Sequence, residues 1–315
     1  MMTECADRLA SRAMQTIALG TSSLISTRLA YGCWRLAGRE GGPRLDDADG
    51  MGAVRAAYEA GYTLYDHADI YYSQGECERI FGRVLRDIPE MRGRIVLATK
   101  CGICPPWDGR THCYDSSGAH IIASVEGSLK RLGVDYVDLL MIHRPDFLGD
   151  PSEIATTFLQ LRAQGKVREF GVSNFRPSQL AALQKHCTMA LITNQVEISL
   201  SALTCFDDGT LDQCLAERIS PMAWSPLAKG LLMDASKDPK TQRLQALLAR
   251  IAAEKGVTPA AIAIAWLLRH PARIVPIVGS INPERIQEAS RADTTEIARD
   301  EWYSLLTTAR GTPLP

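Results

Sequence analysis

The sequence has almost no excess of charge: 35 Lys and Arg stand against 36 Asp and Glu, a formal net charge of -1. That excludes the broad basic field that holds nucleic acid and the acidic self-repulsion of a solvated tail, and leaves a small molecule as the expected partner. Long apolar runs are also lacking. The stretch "AAIAIAWLL" (260–268) follows Pro259 and stops at Arg269, and its nine residues fall short of the roughly 20 that span a bilayer, so it reads as a buried helix. The N-terminus, "MMTECADRLASRAMQ", has no uninterrupted apolar core, so no secretory signal is read there. Nine cysteines, an odd number in 315 residues, do not make a disulfide framework, and the reducing cytoplasm is the simplest location. No linker or low-complexity segment interrupts the chain, which is expected to be one domain over 1–315 with about 1–13 as an N-terminal extension. No G-x-G-x-x-G follows the early strands, which removes the usual argument for an open dinucleotide-binding sheet.

What is present is alternation. Eight β-rich runs, "RLAYG" (28–32), "YTLYD" (62–66), "RIVLATK" (94–100), "VDLLMIH" (137–143), "REFGVS" (168–173), "LITNQVE" (191–197), "SPMAWS" (220–225) and "IVPIVG" (274–279), are separated by stretches of helical period. In one of these Met51, Val54, Ala57 and Tyr58 share a face. In another Ile121, Ile122, Val125, Leu129 and Leu132 do so, with Gly133 as C-cap. Eight repeated β–α units with right-handed crossovers predict an α/β fold, a (β/α)₈ barrel of the TIM type, with an open doubly wound sheet as the alternative. Upstream, "MQTIALGTSSLISTRL" reads as an N-terminal β-hairpin closing the bottom of the barrel.

Polar residues recur where these strands end: Asp66, Lys100, His143, Ser173 with Asn174, Gln195, and Ser225 after Trp224. In a barrel they share one mouth, the face on which sites of this fold are built. Alone, a strand-end aspartate caps a helix and a lysine is solvated. Together with Tyr71 they suggest acid–base chemistry. A tyrosine with pKa near 10 becomes a better catalyst when a lysine cation favours its phenolate, a buried lysine needs a carboxylate such as Asp66, and His143 can donate to a carbonyl oxygen.

The segments "YDHADIY", "ATK", "LLMIHRPD", "QGKVREFGVSNF", "TNQVEISL", "MAWSPLAKGLL" and "VPIVGSINPERIQEA", in this order, resemble the aldo-keto reductases, and among them most the YdhF-type bacterial oxidoreductases. The resemblance runs from about Met14 to the last helix and implies a (β/α)₈ barrel. It implies that Tyr71, five positions after Asp66, is the general acid of carbonyl reduction, with Asp66, Lys100 and His143 as its partners. It further implies that Ser173, Asn174 and Gln195 hold a nicotinamide carboxamide and that the ring stacks on Trp224. Ser225, Pro226, Leu227, Lys229 and Gly230 then run along a pyrophosphate, and Gly279, Ser280, Asn282, Arg285 and Glu288 take the adenosine end.

Arg285 favours NADPH through charge-assisted bonds to a 2′-phosphate, while Gly279 stands where many members carry lysine, so NADH is a second candidate. Tyr72 stands where many have glycine. Trp34, Trp107 and Phe147 suggest an apolar substrate pocket. The C-x-x-C at Cys101 and Cys104, with His112 and Cys113 beyond, is read as incidental thiols in a loop lining the mouth. The expected reaction is NADPH-dependent reduction of an aldehyde or ketone with no metal required. The alternatives are a Schiff-base lyase using Lys100 and an NADP-binding redox sensor, since the family includes potassium-channel β subunits.

Overall fold

The structure is a computed structural model that describes residues 13–39, 41–106, 109 and 111–314. The expected N-terminal extension and Trp107 therefore lie outside the described residues, save for Ala13.

Twelve strands follow in chain order: β1 (Thr16–Ala18), β2 (Ile25–Thr27), β3 (Ala30–Gly32), β4 (Leu64–Asp66), β5 (Val96–Cys101), β6 (Ile103–Cys104), β7 (Cys113–Tyr114), β8 (Val137–Ile142), β9 (Val167–Ser173), β10 (Leu191–Glu197), β11 (Ser220–Trp224) and β12 (Val275–Val278). Eight of them, β3, β4, β5, β8, β9, β10, β11 and β12, form a closed barrel of parallel neighbours, with β12 pairing back onto β3. All eight sequence-predicted strands are present, most of them trimmed or moved by a residue or two at their ends. The open sheet is excluded by closure.

The helices are α1 (Asp47–Glu59), α2 (Glu76–Asp87), α3 (Gly118–Leu132), α4 (Pro151–Ala163), α5 (Pro177–Gln184), α6 (Thr210–Glu217), α7 (Pro239–Lys255), α8 (Pro259–Leu268), α9 (Pro283–Ser290) and α10 (Arg299–Arg310). Side-chain caps start several of them: Asp46 accepts from Ala48 N, Ser117 from His120 N and Asn282 from Arg285 N. The predicted apolar face of α3 is buried through Ile121, Val125, Leu129 and Leu132, and Gly133 ends the helix in the left-handed region. The apolar "AAIAIAWLL" run is α8, buried on nearly every side. No single described helix is long and apolar enough to cross a membrane.

The barrel interior is set by period-two alternation. Ala30, Leu64, Val96, Ala98, Leu139, Met141, Ile192, Met222, Val275 and Ile277 fill its lower part, together with Leu19 and Leu24 from the β1–β2 hairpin. The hairpin thus closes the N-terminal end, as expected. Gly20 makes this possible. Its N–H donates to Ser220 Oγ at 2.8 Å, its φ is +56°, and a Cβ there would meet Ile192 O at 2.6 Å.

Candidate active site

The next inward position above each apolar residue carries a polar or aromatic group. Two residues on from Leu64 is Asp66, from Ala98 Lys100, from Met141 His143, and from Met222 Trp224. Alternation along parallel strands therefore raises all four to the same, C-terminal end of the barrel. Thr99 faces outward instead, donating to Glu78 Oε1 on α2 at 2.7 Å, while Arg131 of α3 donates to Glu78 Oε2 at 2.7 Å. That outer network holds β5 against α2 and α3.

Lys100 is fully buried, and its Nζ donates to Asp66 Oδ1 (2.7 Å), Asp66 Oδ2 (2.8 Å) and the His67 carbonyl (2.8 Å). Three donors meet three acceptors. Gln195 Nε2 adds a fourth contact, donating to Asp66 Oδ1 at 2.7 Å. Tyr71 reaches in from the turn after β4. Its ring lies 5.1 Å from Lys100 Nζ, and its centroid is 6.1 Å from that of His143, edge to face. His143 Nδ1 is buried without a hydrogen-bond partner.

Burial moves the titrations. Desolvation, then the neighbouring Asp66 carboxylate, pushes the Tyr71 phenol well above the ordinary tyrosine value. The expected lowering by Lys100 is not met, because burial and then the Asp66 charge act in the opposite direction. Burial lowers the Lys100 pKa, opposed by Asp66. His143 is driven well below the usual imidazole range by burial and then by the cations of Lys100 and Arg144, so it is neutral. The site therefore holds one ammonium–carboxylate pair, a neutral imidazole and a protonated phenol.

Beside it a second hydrogen-bonded chain crosses the mouth. Trp224 Nε1 donates to Asn174 Oδ1 (3.0 Å), Asn174 Nδ2 donates to Ser173 Oγ (2.8 Å) and to the His143 carbonyl (3.2 Å), and Ser173 Oγ donates to the Gln195 carbonyl (2.9 Å). The three residues expected to grip a carboxamide are brought together with the expected aromatic, but their donors are already engaged, those of Ser173 and Asn174 within this chain of bonds and that of Gln195 on Asp66. Sequence reasoning passed over Arg144, whose guanidinium carbon lies 6.0 Å from the Trp224 ring centroid. Its signal was its place next to His143 at a strand end.

After Trp224 the chain turns through positive φ at Ser225, Ala228 and Lys229, and Lys229 Nζ lies 5.9 Å from the Trp224 ring centroid. Such turns aim successive N–H groups and a cation to one side, which suits an anion. Farther on, Ser280 Oγ accepts from Asn282 N (3.1 Å) and Asn282 caps α9. Arg285 is exposed on the first turn of α9 with no ion-pair partner among the described residues, whereas Glu288 Oε2 is ion-paired with Arg291 Nη1 at 3.5 Å. A half-buried indole, a cation-bearing turn and an unpaired guanidinium fit a dinucleotide laid from Trp224 to α9.

The other candidates are dispersed. Phe147 is 89% exposed, so it does not wall a pocket, and Trp34 is 37% exposed with the Arg35 guanidinium carbon 5.7 Å from its ring centroid. Tyr72 has φ +51° and begins a left-handed run through Ser73, Gln74 and Gly75. That conformation explains why glycine suits this position.

The model of the aldo/keto reductase family matches residues 28–306. Among curated proteins, 6-dehydroglucose reductase of Agrobacterium fabrum is 44% identical, covering 95% of this chain and 99% of its own length. Oxidoreductase YdhF of Escherichia coli is 38% identical, covering 96% and 100%. Among solved structures, the thermostable aldo-keto reductase Tm1743 bound to the inhibitor epalrestat superposes with a TM-score of 0.81 at 26% identity, covering 94% of this chain and all of that one.

Proposed function

The chain belongs to the aldo/keto reductase family, an NAD(P)H-dependent oxidoreductase family, and from that premise we propose that it reduces an aldehyde or ketone to the alcohol using NADPH. Bound NADPH would supply the hydride. The observation that carries the reading is the meeting of Asp66, Tyr71, Lys100 and His143 around one opening at the end of the barrel.

Each group has a task that its environment supports. Tyr71 keeps its proton across the neutral range and gives it to the carbonyl oxygen as negative charge develops there. Lys100, locked by Asp66, holds a positive field beside the phenol without leaving its place. Neutral His143 can offer an N–H to the same oxygen, whereas an imidazolium would add a second buried cation next to Lys100. The side chains of Ser173, Asn174 and Gln195 would orient a carboxamide after giving up some of the bonds they make to one another and to Asp66, and Trp224 would support the ring. Ser225 to Gly230 and Gly279 to Glu288 would receive the phosphates and the adenosine, with Arg285 on the 2′-phosphate.

The relative named 6-dehydroglucose reductase makes a polyhydroxylated aldehyde the first substrate class to try. The test of the cofactor is a titration with NADPH and NADH that follows tryptophan emission. NADPH is expected to bind tightly with quenching that is lost in Trp224→Ala, and Arg285→Ala to weaken NADPH but not NADH. Binding of neither nucleotide would overturn the proposal.

A further inference from the structure

Directly beyond Lys100 the chain forms a two-stranded ribbon, β6 and β7, that leads into α3. The two cysteines of the C-x-x-C do not share a face here. Cys101 faces outward from the barrel and is buried in the core, whereas Cys104 stands opposite Cys113 across the ribbon. Side chains of directly paired residues lie on the same face, and alternation puts Asp115, two after Cys113, on that face as well. His112 and Tyr114 take the other face, where their rings meet edge to face at 5.7 Å.

Cys104 and Asp115 reach the first turn of α3, where His120 is, and Cys113 lies on the same face of the ribbon. Its Nε2 lies 3.9 Å from Cys104 Sγ, and its Nδ1 lies 3.9 Å from Asp115 Oδ2. One donor atom each of Cys104, Asp115 and His120 falls within 4.8 Å of the others. Ser124 Oγ, 3.4 Å from His120 Nε2, is the other polar group at this nitrogen.

We propose that Cys104, Cys113 and His120 bind zinc(II) through two thiolate sulfurs and Nε2, with Asp115 orienting the imidazole from its Nδ1 side and water completing the tetrahedron. Metal–sulfur and metal–nitrogen bonds of about 2.3 and 2.0–2.1 Å put sulfur and nitrogen about 3.5 Å apart in a tetrahedral site, close to the distance found between Cys104 and His120. Cross-strand Cβ atoms about 4.5–5.5 Å apart let the two sulfurs converge by choice of rotamer. Two soft sulfurs and one imidazole select zinc over magnesium or calcium. Two protons leave the thiols on binding, so the ion's charge is balanced. The ion ties the ribbon that follows Lys100 to α3 and so fixes one wall of the mouth. It takes no part in the hydride reaction.

The test uses the full chain, reduced and stripped with a chelator, then titrated with cobalt(II) and back-titrated with zinc(II). Wild type is expected to take one equivalent with a thiolate-to-cobalt charge-transfer band and tetrahedral visible bands, which zinc abolishes while raising the thermal midpoint. Cys104→Ser and Cys113→Ser should each diminish the band, and His120→Ala should weaken binding by at least roughly tenfold, since even outer groups such as Asp115 (tested as Asp115→Asn) count for roughly 10–100-fold. His112→Ala, on the opposite face, should bind like wild type. Circular dichroism keeps folding apart from binding. Absence of the band in the reduced wild type overturns the proposal, as does equal loss in His112→Ala and His120→Ala, or recovery of Cys104 and Cys113 only as a disulfide that binds no metal after reduction.

Discussion

Replacing Asp66 by Asn probes the pair on which the proposed site is built. Lys100 Nζ gives three bonds of 2.7, 2.8 and 2.8 Å, two of them to Asp66, and Asp66 also receives Gln195 at 2.7 Å. Asp66→Asn leaves a buried ammonium without its counter-charge and replaces the second oxygen that accepts from Lys100 with an NH₂ donor, so that one amide oxygen and the His67 carbonyl remain as acceptors. Breaking one side of such a pair costs about 3–5 kcal/mol. Lys100→Met costs a similar amount by leaving a buried carboxylate with Gln195 alone. The double variant removes both charges and should cost no more than either single. The coupling between the two sites is then at least about 3 kcal/mol, well above the few tenths seen for independent positions. Urea unfolding followed by tryptophan fluorescence, with equal slopes required across the four proteins, measures it. Additive singles, or singles below about 1 kcal/mol, would refute the view that this is a desolvated, mutually dependent pair.

Two further outcomes follow from other parts of the barrel. Gly20→Ala should destabilise by about 2–4 kcal/mol, since a Cβ at φ +56° meets Ile192 O at 2.6 Å, and a chemical-denaturation midpoint measures this. His67 is fully buried, has no side-chain hydrogen-bond partner, and is lowered to about 3 by burial and then Lys100. Its folded pKa is depressed, so its contribution is intact above the unfolded value near 6.5 and is lost as pH falls toward 3. Wild type should lose up to about 3 kcal/mol between pH 7 and 4 that His67→Leu does not lose, as a pH series of unfolding curves would reveal.

Much of the fold was legible because it depends on periodicity. The eight runs, the α3 face ending at Gly133 and the hairpin around "GTSS" are local patterns, and all are found in the structure. The meeting of Asp66, Lys100, His143 and Trp224 was legible for the same reason, each being the inward residue above the last apolar one. What was not legible needs distances. The direction of the Tyr71 shift depends on how deeply the phenol is buried and on its distance from the Asp66 charge. The pairing of Cys104 with Cys113 depends on ribbon register and not on the shorter spacing to Cys101. Phe147 lies in an apolar-looking loop, yet exposure is decided by how that loop leaves the barrel. The left-handed backbone at Tyr72 is a feature that a β-turn propensity would assign to glycine.

The measurement that tests the central claim most directly is single-turnover reduction of a carbonyl substrate by Tyr71→Phe with NADPH, beside a titration of nucleotide binding by the same variant. The phenol supplies the proton, so the rate should fall by roughly 10²- to 10⁴-fold while NADPH binding is unchanged. A variant that reduces the substrate at the wild-type rate would show that Tyr71 is not the acid and would contradict the account.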